Sequence, residues 1–238
     1  MKKKFKILLV LSILINLLCL SLGSVIIIKK GGISYIEQKI KPNIYNGTPF
    51  HEISKSAFSI LPVSSSSIVF AGDSITNFCN WNELFKDNTI INRGIQGETT
   101  KFMLDDMDNI TRGKPDKIFL MIGINDLASG RSVSDTFTNY KKIINEIENR
   151  SPDTAIFIES VLPINTNLKH TKATNEEIVQ FNQKISILAK EKKHHYIDLY
   201  TKFKNDDGQL SKNFTIDGVH LNGKGYLHWK KYINTYVR

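Results

Sequence analysis

Four short blocks hold the residue types that acyl transfer to a hydroxyl requires: AGDSIT at 71–76, NRGIQGE at 92–98, IGINDL at 122–127 and DGVHLN at 217–222. Such chemistry needs a nucleophilic hydroxyl, a base to take its proton, a group to orient the base, and donors aimed at the developing oxyanion. Ser74 supplies the hydroxyl. Asp217 and His220 stand three residues apart, so one turn can hold the carboxylate against Nδ1 of the imidazole while Nε2 points outward to Ser74. Oxyanion donors are available in the backbone N–H of Ser74, in the N–H of Gly94, where no side chain blocks approach, and in the side-chain amide of Asn125. Asn77, Phe78 and Trp81 follow the serine closely and are candidates to line an acyl pocket, although Trp81 suits the core equally well.

Each block also has a plainer reading. A serine where an apolar strand runs into a helix can cap that helix by accepting hydrogen bonds from its first free N–H groups. Ser74 can do this and still attack, because a helix N-terminus also favours developing negative charge. Gly94 alone is a turn residue and Asn125 alone a loop cap. Asp73 and Asp126 adjoin the site and are better suited to fixing loops through backbone N–H groups than to attacking anything. The histidines outside these blocks, His51, His170, His194, His195 and His228, have no paired spacing with acids or cysteines that makes a metal site, so no metal or cofactor is expected. Cys19 and Cys79 are the two cysteines; with Cys19 in an apolar N-terminal stretch, no internal disulfide is expected, and Cys79 reads as a small buried residue.

The elements that must position these blocks alternate along the chain. Ile68–Ala71, Thr89–Asn92, Lys117–Ile122, Ala155–Val161 and His195–Leu199 are short β-branched or aromatic runs of the kind buried in a parallel sheet. Between them lie helical periods: Val133, Phe137, Tyr140, Ile144 and Ile147 in one, and Ile178, Phe181, Ile185 and Leu188 in another, with Thr174 and Glu177 as its capping box. Met103 and Met107 fit a core stripe, and a last helix begins near Gly223. Five strands separated by helices predict a three-layer α/β/α sandwich around a five-stranded parallel sheet. In such sheets sites form beyond the carboxyl ends of the strands. Ser74, Gly94 and Asn125 follow strands one to three, and Asp217 with His220 follows strand five, so all fall on one rim.

The formal charge of +9 does not indicate nucleic acid. Lys2, Lys3, Lys4, Lys6, Lys29 and Lys30 flank a single apolar stretch, residues 1–30 hold no acid, and taking those six lysines away leaves +3 for residues 31–238. No basic run is interleaved with aromatics. The apolar stretch, 7–28, is about 33 Å long as a helix, enough to cross a bilayer core. More lysines precede it than follow it, which predicts a cytoplasmic segment 1–6 and an exported remainder. Ser21 and Gly23 are small residues spaced for signal-peptide cleavage, but Val25–Ile28 carries the apolar run past that cut, so an uncleaved anchor is preferred. Gly31-Gly32 and Lys41-Pro42-Asn43 read as a juxtamembrane linker over 29–57. The folded domain then spans 58–238, with Phe58, Ile60 and Leu61 beginning to pack on it. No feature sets an oligomeric state.

The four blocks in order, together with KPDKIFLMIGINDL and the later SVLPI, resemble the SGNH (GDSL-type) hydrolase family, most closely the branch with platelet-activating-factor acetylhydrolase-like and carbohydrate O-acetylesterase-like members. The resemblance runs from about Phe58 to the C-terminus. It implies the flavodoxin-like SGNH fold, Ser74 as nucleophile, His220 as base, Asp217 as its orienting partner, and an oxyanion hole of Ser74, Gly94 and Asn125. The expectation is then a metal-independent serine esterase outside the cytoplasmic membrane, acting on short acyl esters such as O-acetyl groups of a carbohydrate or cell-wall polymer. Acyl transfer to an alcohol, hydrolysis of a lipid ester and, from a different class, non-catalytic binding of a glycan or membrane partner are the alternatives. A metallophosphoesterase would also place Asp, Asn and His at strand ends, but it needs several metal ligands at matching turns and no essential group at Ser74.

Overall fold

A computed structural model of the protein describes residues 2–29 and 49–238, which fall in two compact units divided after Asn46. In the first, helix α1 (Lys2–Lys29) carries Leu, Ile and Val on every side and ends on a basic residue. It is long and apolar enough to cross a membrane, and equally to serve as a signal sequence. The linker motifs Gly31-Gly32 and Lys41-Pro42-Asn43 lie outside the described residues.

The second unit opens with helix α2 (Pro49–Ile60), which the expected boundary at Phe58 had assigned to the linker. The helix joins the body through His51, which is buried, and through Phe58, whose ring lies 4.6 Å below the Arg93 guanidinium. Ile60 and Leu61, expected to pack, are instead exposed at 80% and 50%. His51 faces the body from the first turn of α2, while the large apolar residues beside it, Phe50 and Ile53, are exposed, so the contact runs through a residue that the pattern of large aliphatics does not mark.

Five strands follow: β1 (Ile68–Gly72), β2 (Ile90–Gly94), β3 (Lys117–Met121), β4 (Ala155–Glu159) and β5 (His195–Ile197). All pair in parallel in the order β2-β1-β3-β4-β5. The expected strands are all present, with ends shifted by one or two residues. From β1 the chain steps to one side for β2 and then to the other for β3, so the order reverses at β1 and a crevice opens beyond its carboxyl end.

Register explains much of the core. Phe70, Phe119, Phe157 and His195 are direct partners on β1, β3, β4 and β5. Neighbouring strands lie about 4.8 Å apart, which is also a stacking distance for aromatic rings. The rings accordingly stack with centroids 4.8, 4.5 and 4.7 Å apart, and Trp81 closes the far end at 4.2 Å from Phe70. Trp81 is therefore core and lines no acyl pocket, because its register with this ladder leaves it fully buried.

Helices α3 (Val133–Arg150) and α4 (Asn175–Lys192) bury Tyr140, Ile144 and Ile147 and Ile178, Phe181 and Ile185 respectively. The Thr174–Glu177 capping box forms as expected. Helix α5 (Gly223–Val237) starts at the Asn222 cap and buries Trp229 and Ile233. Met103, Met107 and Cys79 are core residues too, and burial pushes the Cys79 thiol up to about 12, so it holds its proton and is inert.

Glu159, at the end of β4, is buried and accepts a 2.7 Å hydrogen bond from Trp229 Nε1. Burial pushes its carboxyl up to about 8, against the lowering effect of that bond. The folded chain thus keeps a proton that the unfolded chain gives up above roughly pH 4.3. The resulting stability is complete in acid and is lost as pH rises toward 8. Glu159→Gln retains the acceptor and removes the titration. It is expected to leave the Tm at pH 4.5 near wild type and to raise it by several degrees at pH 8–9. Equal Tm shifts at both pH values would mean that Glu159 is ionised in the fold.

Candidate active site

Residues from three loops on the carboxyl rim of the sheet meet at Ser74. The short helix Ser74–Asn77 leaves β1 directly, and its cap is Asp73: Oδ1 accepts the Ile75 N–H at 2.9 Å. Capping is therefore the neighbour's task, which leaves the Ser74 hydroxyl to other partners. Asp73 is fully buried, and burial pushes its carboxyl up to about 7, with the Ile75 bond opposing and nearby Glu98 and Asp126 adding to the rise.

Ser74 Oγ lies 3.0 Å from His220 Nε2, and His220 Nδ1 lies 2.6 Å from Asp217 Oδ2. The loop that holds this pair is tightly bonded. Asp217 Oδ1 accepts the N–H groups of Val219 at 3.0 Å and His220 at 2.8 Å, while Thr215 Oγ1 donates to the His220 carbonyl and accepts from the Gly218 N–H. Burial disfavours charge on Asp217, but the His220 ring, the two N–H donors and the His220 charge outweigh it and hold the carboxyl down at about 2. A carboxylate ionised at neutral pH and bonded to Nδ1 keeps the proton there and the lone pair on Nε2, which faces the serine.

Three expected neighbours take specific places. Asn125 lies in the first turn of the short helix Ile124–Ala128 after β3, and its Nδ2 donates to the Glu98 carbonyl at 2.9 Å, which leaves a second N–H on the same amide. Phe78 is half exposed, with its ring centroid 5.2 Å from that of His220. Asn77 spends its amide on the frame, donating from Nδ2 to the Gly94 carbonyl at 2.8 Å.

Gly94 does not present a free donor. Its N–H goes to Asn92 Oδ1 at 2.8 Å, and a Cβ at this position would collide with the Asn77 backbone nitrogen. Glycine is needed here for packing of the β2 end against the serine helix. The next glycine differs. Gly97 sits at φ +74 in a turn closed by the Glu98 N–H bonding to the Ile95 carbonyl at 3.1 Å, and no acceptor among the described residues takes its N–H. That turn also carries the Glu98 carbonyl to which Asn125 is bonded, so the Gly97 N–H and the Asn125 amide belong to one small assembly.

Asn92 is the positioning residue that the sequence reading passed over. Its Nδ2 donates to the carbonyls of Thr76, Asn77 and Cys79 at 3.1, 3.1 and 2.9 Å, stapling the end of the serine loop to β2. An asparagine at the centre of a short strand was the available signal. Below the site, Asp126 is fully buried, accepts from the Thr100 N–H and hydroxyl at 2.8 and 2.7 Å, and pairs with Arg131 Nε at 3.2 Å. Burial raises its pKa, and the Thr100 bonds and Arg131 oppose the rise. Among the described residues no group of three or more His, Cys, Asp or Glu side chains has the arrangement of a metal site.

Comparison with known proteins gives the family and its fold. The profile of the GDSL-like lipase/acylhydrolase family matches residues 70–227. Human platelet-activating factor acetylhydrolase IB subunit alpha1 is 26% identical over 166 residues, covering 67% of this chain and 70% of that protein. The rat alpha2 subunit is 27% identical over 168 residues, covering 67% and 70%. A solved structure from Streptococcus pneumonia, described as a platelet activating factor, superposes with a TM-score of 0.73 at 32% identity over 79% of this chain and 93% of that one. The acetyl xylan esterase AlAXEase shares the fold, with a TM-score of 0.62 at 21% identity over 72% and 100%.

Proposed function

The chain belongs to the GDSL-like lipase/acylhydrolase family and is an ester hydrolase, and from that premise we propose that it removes short acyl groups, chiefly O-acetyl, from a carbohydrate or cell-wall polymer outside the cytoplasmic membrane. The observation that carries the mechanism is the continuous relay from Ser74 Oγ through His220 to Asp217, at 3.0 and 2.6 Å. In this reading Ser74 Oγ attacks the ester carbonyl carbon while its proton passes to His220 Nε2. The tetrahedral oxyanion is met by the Ser74 N–H, the free N–H of the Asn125 amide and the Gly97 N–H, which takes the place first given to Gly94. Collapse expels the alcohol, protonated by His220, and leaves an acyl-serine. Water then attacks this ester with His220 as base and releases the carboxylic acid and the free serine.

The location rests on α1. As an uncleaved anchor with its lysine-rich end in the cytoplasm, it tethers a hydrolase domain that starts at α2 to the outer face. Named relatives that are acetylhydrolases support a small acyl group. Lipid esters are the second reading, favoured by half-exposed Phe78 beside His220 and by Ile216, 82% exposed next to Asp217, which together put apolar surface at the mouth of the site.

Chain-length preference separates the two. The full-length chain in detergent is assayed on p-nitrophenyl acetate, butyrate and octanoate, and for acetate release from an O-acetylated glycan. The expected rate falls by at least about tenfold from acetate to octanoate, as a small acyl pocket requires. A rate that rises with chain length would replace the glycan reading with the lipid one.

A further inference from the structure

We propose that His51, on a helix outside the family-matched segment, is a positioning residue: it anchors Glu98 so that the Glu98 carbonyl keeps the Asn125 amide aimed at the oxyanion. The inference rests on the role given to Asn125 above.

The chain of contacts is short. His51 is 3% exposed and its Nε2 lies 3.3 Å from Glu98 Oε2, on a residue only 2% exposed. Among the described residues no hydrogen-bond donor meets the other carboxylate oxygen, Oε1, and the imidazole is the one side chain paired with this buried carboxylate, beside the Thr99 N–H. The ring is steadied on its own side by Phe102, with centroids 5.1 Å apart. On the backbone side, Glu98 closes the Gly97 turn with its N–H and accepts Asn125 Nδ2 at 2.9 Å with its carbonyl. A movement of the Glu98 side chain therefore shifts, through one residue, both the Gly97 N–H and the Asn125 amide.

Charge points the same way. Burial raises the Glu98 pKa, and the hydrogen bond from His51 opposes it; for His51 the Glu98 bond raises the pKa against burial. Glu52, whose Oε1 is 3.8 Å from His51 Nδ1, and Lys55 and Asp106 are further charged groups near it among the described residues. A proton on the imidazole offsets negative charge on Glu98 that would otherwise sit behind the oxyanion donors and oppose the charge they collect. The sequence reading treated His51 as solvated or packed, and the family profile begins nineteen residues later, at 70. The contact thus reaches the site from α2, outside the profile-matched segment.

The test uses the full-length protein in detergent, with kcat and KM on p-nitrophenyl acetate and a melting curve for every variant. His51→Phe keeps a ring against Phe102 and removes the anchor. It is expected to lower kcat about tenfold with KM within about twofold, because the donors act on the transition state more than on bound substrate. His51→Gln, which can still donate to Glu98, is expected to recover most of the loss. In an Asn125→Ala background His51→Phe should cost clearly less than in wild type, because the branch of its route that runs through the Asn125 amide is already cut and only the one through the Gly97 N–H remains. Glu98→Ala removes the other end of the contact and carries the same test if His51→Phe does not fold.

Wild-type kcat in folded His51→Phe, or an equal loss in the presence and absence of Asn125, overturns the proposal and leaves the serine mechanism standing. Wild-type kcat in Asn125→Ala overturns both this proposal and the oxyanion assignment beneath it.

Discussion

Ser74→Ala is expected to lower ester turnover by about three to five orders of magnitude while leaving the melting temperature within a few degrees of wild type. The size of the loss follows from the relay: without Oγ there is no acyl-enzyme, and what remains is the contribution of binding and oxyanion donors to direct attack by water. The fold should survive because the hydroxyl does not cap its helix. Asp73 does that, and Ser74 Oγ meets His220 instead. A second variant sharpens the expectation. Groups that act as one unit are not additive, so His220→Ala combined with Ser74→Ala should be hardly slower than either alone. Initial rates on p-nitrophenyl acetate, with a covalent serine probe to count active sites, provide the measurement. Turnover near wild type in a contaminant-free preparation of Ser74→Ala would remove Ser74 from the mechanism.

Asp217→Asn is expected to be the next most damaging change, lowering kcat by about two to four orders of magnitude with a smaller effect on KM. Asp217 has two tasks. Oδ2 takes the Nδ1 proton of His220, and Oδ1 takes two backbone N–H groups of its own loop. Asparagine has one acceptor oxygen for both. If that oxygen stays with the backbone, the amide N–H₂ faces Nδ1, and the ring must carry its proton on Nε2, where it cannot receive one from Ser74.

The same substitution makes a pH statement. With its folded pKa held down at about 2, Asp217 contributes stability that is present above roughly pH 4 and is lost as pH falls toward 2. Asp217→Asn should therefore flatten the acid side of the melting-temperature profile and still cost activity at neutral pH, where the wild-type carboxylate is fully ionised. An unchanged acid profile, or wild-type kcat, would mean that His220 is oriented by another group.

How far the sequence carried the site varies residue by residue. Ser74 and Asn125 were legible as candidates because their blocks directly follow apolar strands, and Asp217 with His220 because the two stand three residues apart shortly before the last helix. Gly94 was misread because its glycine is required for a different reason. Whether a backbone N–H is free depends on which side chain reaches it, and Asn92 Oδ1 reaches this one. Trp81 was undecided between pocket and core until register placed Phe70 beside it. His51 gave no signal, since one histidine in a helix is not distinguishable from a solvated one until its partner, 47 residues later, is folded against it.

The sequence by itself determined the parallel α/β architecture, the apolar N-terminal helix and the residue types on one rim, because periodicity, strand length and short motifs are local properties of the chain. Tertiary structure alone decided which donors are free, which aromatic ring is core, and that α2 belongs to the hydrolase unit. Those outcomes depend on pairings across tens of residues, where one hydrogen bond at 2.8 Å commits a group to the frame and removes it from the chemistry.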